Sequence, residues 1–213
     1  YMSFSPLISP YHAEEEIASE KRAVISVQYA IENTKQVVGE YTLKLALSNK
    51  GGSVVWCKSV SGNLDGSPCI KGVTEARIEN PKLWNTEDPY LYLLSANLQW
   101  NDVLCDHVEY KCGIRTTEFT KRNGFYLNGK PVRINGVCLH QDNGCLGAVA
   151  NETSERRKLM IMKSMGSNAV RVAHSPVSES FLNLCDELGI LVMDEMFDEW
   201  FTAKTMLALR VSN

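Results

Sequence analysis

The sequence predicts a two-part chain: an all-β first half followed by a parallel α/β second half. Three observations carry this reading. Between residues 25 and 114, apolar residues recur with a period of two in short runs separated by turn formers. After Arg115 the period changes, and apolar runs alternate with stretches of helical spacing. Three of those later runs are each followed by polar or ionisable groups, namely His140, His174 and the pair Asp194-Glu195.

The elements follow in order. Residues 1–16 contain Pro and Glu and read as a linker. Ile25, Val27, Tyr29 and Ile31 then alternate with Ser26, Gln28 and Ala30, and Tyr41, Leu43, Leu45 and Leu47 mark a second half-buried strand. Asn49-Lys50-Gly51-Gly52 supplies a turn before a strand over 53–58, and residues 61–68 are dense in turn formers. Strands are expected over 72–79, 90–100 and 103–114, the last two joined at Asn101-Asp102. Short strands at this spacing over residues 17–118 point to an immunoglobulin-like sandwich.

The second part, 119–213, opens with the turn Asn128-Gly129-Lys130-Pro131 and a strand over 132–137. Thr153 or Ser154 is expected to cap a helix running to about Met165 and closed by Gly166. A strand over 169–172, a helix over 179–188 ended by Gly189, and a strand over 190–193 complete the pattern. Strand–helix alternation with short connections is a parallel β/α layout. The near-continuous apolar character of the last two strands predicts burial on both faces. Three such strands do not close a barrel, which takes eight. Either the second part is an unusual small open sheet or the chain is a piece of a larger protein, and the piece is the expectation.

The 213 residues suffice for one large domain or two ordinary ones. A hydrophobic content of 44% with 22% charged residues is that of a globular protein, not of a disordered one. The net charge of −3 and the lack of a basic cluster give no support to nucleic-acid binding. No apolar run approaches the ~18 residues of a membrane span, and the N-terminus lacks the basic start and apolar core of a signal peptide. Seven cysteines without a CxxC spacing predict free, mostly packed thiols, with one disulfide open to an oxidising compartment. No ligand spacing for a metal is present, and no cofactor motif is found.

The candidate site comes from the strand ends. Arg171 lies inside an apolar run, where a guanidinium is costly unless paired. His174 stands just past that run, and His140 and Asp194-Glu195 follow the neighbouring ones. One shared polar site is expected. Arg171 paired with Asp194 as a structural bridge, and either histidine as a satisfied core residue, remain open. Asp142 and Trp200 are secondary site candidates, while Trp84, between Pro81 and Pro89, reads as a structural wedge.

Five motifs in order resemble glycoside hydrolase family 2, which includes β-galactosidases, β-glucuronidases and β-mannosidases. They are Asn80-Pro81-Lys82-Leu83-Trp84 through Pro89-Tyr90-Leu91-Tyr92; Gly113-Ile114-Arg115; Phe125-Tyr126-Leu127-Asn128-Gly129-Lys130-Pro131 with Asn135-Gly136-Val137-Cys138-Leu139-His140; Asn168 through Pro176; and Leu184 through Glu195. The resemblance implies a jelly roll preceding residue 1, this sandwich, and then the first three βα units of a (β/α)8 TIM barrel. It implies a retaining β-glycosidase of the β-galactosidase type, acting on a carbohydrate β-glycoside. Both catalytic glutamates would lie beyond residue 213, so no catalytic residue is assigned here and the chain alone is expected to be inactive.

By the same resemblance His140 and His174 would bind sugar hydroxyls, Arg171 would hold the nucleophile carboxylate, and Asp194 and Glu195 would belong to the sugar pocket or its surroundings. Cys138 stands where the family usually has Asn. Phe201 stands about where magnesium-binding members place a histidine, leaving Glu199 alone, so no metal site is expected. Self-association through the incomplete barrel is expected. The compartment stays open between a bacterial cytoplasm and periplasm. A non-catalytic carbohydrate- or partner-binding module is the alternative function.

Overall fold

The structure is a computed structural model that describes residues 7–9 and 22–196. The described residues divide into two compact units, those up to 85 with 90–131, and 86–89 with 132–196. The first unit is a sandwich of two antiparallel sheets. One contains β1 (Leu7–Ser9), β2 (Arg22–Glu32) and β5 (Cys69–Glu79) in the order β1-β2-β5. The other contains β3 (Val38–Ser48), β4 (Val54–Asp65), β6 (Tyr92–Trp100) and β7 (Val103–Cys112) in the order β4-β3-β6-β7. The alternation visible in the sequence is the core pattern: Val27, Tyr29, Ile31, Leu43, Leu45, Leu47, Leu94 and Leu98 form one buried cluster. β1 lies within the stretch read as a linker and pairs with residues 26–28 of β2.

The turn expected over 61–68 is shorter than its composition suggests. β4 continues to Asp65, because Leu64 is buried in the sandwich core and residues 60–65 keep pairing with β3. Gly62 serves close approach here rather than a turn, since a Cβ would stand 2.9 Å from the ring of Tyr41. The Asn101-Asp102 hairpin forms as expected, with positive φ at both residues, as a two-residue hairpin turn that follows the strand twist requires. Trp84 is fully buried, its backbone N–H donating to Ile114 O and its ring lying 4.3 Å from the Arg115 guanidinium. A small sheet of β8 (Thr117–Thr120), β9 (Gly124–Leu127) and β10 (Lys130–Pro131) completes this unit.

The second unit has the parallel sheet β11-β12-β13, formed by Gly136–Leu139, Ala169–Val172 and Leu191–Asp194. Helices α1 (Glu152–Ser164) and α2 (Glu179–Leu188) follow β11 and β12. β11 starts four residues later than the apolar run suggests. Asn135 and Arg133 are instead tied to the Asn168 side chain, which accepts from Asn135 N and donates to Arg133 O. α1 also starts earlier than expected: Asn151, not Thr153 or Ser154, caps it by accepting from Ser154 N. Leu159, Met162, Val170, Val172, Phe181, Leu184 and Ile190 form the core between sheet and helices.

Two expectations of burial are corrected. β12 and β13 are not covered on both faces among the described residues: Val170 and Val172 are buried, but Arg171 and Met193 are exposed. The thiols are all free, but only Cys185 is buried, while five of the seven are exposed. Their place on edge strands and loops, which composition does not reveal, accounts for this. No helix of the described residues is long and apolar enough to cross a membrane. His12, Glu199, Trp200 and Phe201 lie outside the described residues.

Candidate functional site

Register decides which strand-end groups meet. Cys138, Arg171 and Met193 are paired across the three parallel strands, so their side chains share one face. Leu139, Val172 and Asp194 are paired one step on, and their shared face is the one packed on the helices at Leu139 and Val172. Asp194 therefore points away from Arg171, and the residue after it returns to the open face. That residue is Glu195.

Arg171 Nε donates to Glu195 Oε1 at 2.7 Å, and Arg171 Nη2 donates to the same oxygen. His174 Nδ1 stands 3.4 Å from the other oxygen, Oε2. The carboxylate is thus engaged on both oxygens. His140 Nδ1 is 3.0 Å from Ala173 O, so in the neutral imidazole Nδ1 carries the proton and Nε2 is left as an acceptor. The His140 and His174 rings lie 5.5 Å apart. Arg171 Nη1 approaches Cys138 Sγ at 3.8 Å. Hydrogen bonding to Glu195, then the contact with Cys138, pushes the Arg171 guanidinium further above its ordinary range.

The structure thus joins His140, Arg171, His174 and Glu195 at the C-terminal ends of parallel strands, and sets Asp194 on the opposite face of β13. Arg171 pairs with Glu195, not with Asp194 as the structural-bridge alternative has it. Asp142 shapes the following loop: its carboxylate accepts from Gly144 N and its carbonyl from Lys158 Nζ. Among the described residues no group of three His, Cys, Asp or Glu side chains is placed to hold a metal ion. The arrangement offers donors and acceptors for hydroxyl groups and one carboxylate already committed to cationic and imidazole partners.

Comparison with known proteins gives the family. Residues 8–115 match "Glycosyl hydrolases family 2", and residues 118–212 match "Glycosyl hydrolases family 2, TIM barrel domain". The chain belongs to glycosyl hydrolases family 2. Beta-galactosidase BoGH2A of Bacteroides ovatus is 37% identical over 87% of this chain, which spans 22% of that protein. A beta-glucuronidase of Bacteroides fragilis is 30% identical over 85% of the chain, which spans 26% of it. A family 2 crystal structure from Bacteroides cellulosilyticus superposes with a TM-score of 0.87 at 34% identity, over 96% of this chain and 26% of that one. The chain thus spans about a quarter of these family 2 relatives.

One polar group of this family 2 chain escaped the reading of the sequence. Glu155 is buried on α1, in phase with the buried Leu159 and Met162. Its Oε2 has no hydrogen-bond partner. A carboxylate in step with core positions was the available signal. Burial raises its pKa above the ordinary 4.5, with Glu152 adding to the rise and Lys158 opposing it. The cost of ionising Glu155 is therefore absent below pH 4.5 and develops as pH rises through the folded-state value. The stability advantage of Glu155→Gln over the parent is expected to be smallest at pH 4 and to widen above it. Paired thermal melts across about pH 4–8 check this. An advantage that stays flat or narrows as pH rises would contradict it.

Proposed function

We propose that this chain carries the sandwich and the first barrel segment of a retaining β-glycosidase of the β-galactosidase type, divided near residue 118. His140, Arg171, His174 and Glu195 are its sugar-pocket residues, while Asp194 lies on the opposite face of β13 and belongs to the surroundings. The observation that carries this reading is the convergence of Arg171 and His174 on Glu195 beside His140, at strand ends of a family 2 barrel segment. The relatives support a β-glycosidase but not one sugar: a beta-galactosidase matches at 37% identity over 186 residues and a putative beta-glucuronidase at 40% over 119.

The groups in hand bind and orient. Retaining hydrolysis needs two carboxyl groups about 5–5.5 Å apart, one donating a proton and one attacking the anomeric carbon. Glu195, accepting from Arg171 and facing His174, suits neither role, and Asp194 lies across the strand. The purified chain is therefore expected to bind galactose through His140 and His174 without hydrolysing nitrophenyl β-galactoside. Imidazole NMR signals followed in a galactose titration, alongside a turnover assay, test both halves. Saturable nitrophenol release abolished by His174→Ala would overturn the binding-only role, and tighter binding of glucuronate than galactose would overturn the sugar class.

Self-association belongs to the same proposal. β11 and β13 are the outer strands of the described sheet, and Met193 and Met196 are exposed beside the second. Light scattering should report a species larger than 23.8 kDa; a monodisperse monomer at micromolar concentration would remove this part of the proposal.

A further inference from the structure

A pocket of about 150 Å³ lies between the ends of β11 and β12 and the first turns of α1 and α2. His140 forms part of its wall, so it stands behind the strand-end cluster. Leu139, Val172, Val177 and Phe181 make one side apolar. The polar side is mostly committed. Asn143 donates to Val149 O and accepts from Ser154 Oγ, Gln141 Nε2 donates to Pro176 O, and Lys158 Nζ donates to Asp142 O.

Glu155 differs. It lines the pocket at 7% exposure, and its Oε2 is buried with no hydrogen-bond partner. Oε2 is sealed from a water-sized group, so a guest reaches the carboxylate through its other oxygen, and a buried charge left without a partner favours a cation there. A cavity of this size accommodates a molecule about as large as benzene. The wall sets a carboxylate beside aliphatic and aromatic carbon, which suits a guest with one cationic N–H head and a short hydrocarbon tail.

We propose that this pocket binds a short primary alkylammonium, its head on the Glu155 carboxylate and its tail on Leu139, Val172, Val177 and Phe181. A hydrogen bond from an ammonium to a carboxylate is roughly twice as strong as one between neutral groups, so the cation outcompetes an alcohol of equal size. Lys158 on α1 opposes the guest through like charge, and Glu152 on the same helix favours it. The site does not depend on the carbohydrate reading, and its failure would leave that reading intact.

The test is an NMR titration of the 213-residue chain with n-propylammonium chloride, against sodium chloride at equal ionic strength and 1-propanol at equal concentration. Saturable shifts of the Leu139, Val172 and Val177 methyl signals are expected, with a Kd of order millimolar. Glu155→Gln should weaken binding at least about tenfold, and Lys158→Met should tighten it about threefold. Absence of saturation in the parent chain, unchanged affinity in Glu155→Gln, or equal binding of 1-propanol overturns the proposal. Should Glu155→Gln not fold, Lys158→Met decides alone: unchanged or weaker affinity overturns it.

Discussion

Trp84→Ala is expected to destabilise the sandwich unit by about 3–5 kcal/mol, the range for deleting a fully buried large aromatic side chain. The Trp84 ring is fully buried and covered by the Arg115 guanidinium at 4.3 Å. Gly113 lies against it so closely that a Cβ there would stand 2.9 Å from the indole. The backbone on either side is tied in as well, through Trp84 N to Ile114 O and Asn128 Nδ2 to Trp84 O. A cavity here therefore has rigid walls and collapses poorly. A fall in midpoint of roughly 10–20 °C for the sandwich transition should appear by calorimetry. A loss below about 1 kcal/mol would mean that Trp84 is not the wedge described.

Gly189→Ala is expected to cost about 2–4 kcal/mol in the second unit, the sum of an αL penalty and a backbone clash. Gly189 caps α2 in the left-handed region at φ 72° and ψ 43°. A Cβ would meet Thr86 O at 2.5 Å and Thr86 C at 3.0 Å, both main-chain atoms of the same unit. Those atoms cannot retreat freely, because Lys163 Nζ donates to Thr86 O at 3.1 Å and also to Leu188 O. Gly166→Ala is the control: φ is +89°, but a Cβ there meets nothing within 4 Å. It should lose only the conformational part, about 1 kcal/mol. Urea unfolding of the two variants separates the terms. Equal losses would show that the contact with Thr86 has no weight.

Local patterning was enough for most of the sandwich. Tyr29, Ile31, Leu43, Leu45 and Leu47 alternate in sequence and lie together in the core, because a strand sends successive side chains to opposite faces. The same logic went astray at residues 61–65, where turn-forming residues continue β4. Leu64 is buried, and Gly62 makes room for the Tyr41 ring from the neighbouring strand. In the second unit, apolar residues at 132 and 134 suggested a strand, yet residues 132–135 run outside it, held by the side chain of Asn168. Both differences come from partners distant in sequence.

The site shows the same division. That His140, Arg171, His174 and the Asp194-Glu195 pair stand at strand ends followed from apolar runs and their terminators. Which acid meets Arg171 did not follow. Pairing of Arg171 with Met193 and Val172 with Asp194 turns Asp194 away and brings Glu195 to the guanidinium. A shift of one residue in that register would exchange the two acids. Glu155 was half legible: its phase with Leu159 and Met162 marks a core position, but the lack of a partner for Oε2 depends on how strands and helices close around it.

By itself, then, the sequence determined the two-part architecture, the family and the strand ends at which polar groups gather, because period, turn chemistry and motif order are local properties. Only the tertiary structure decided that Arg171 and His174 share Glu195, that Asp194 does not join them, and that Glu155 faces a pocket without a partner. Those facts depend on inter-strand register and on packing between elements far apart along the chain.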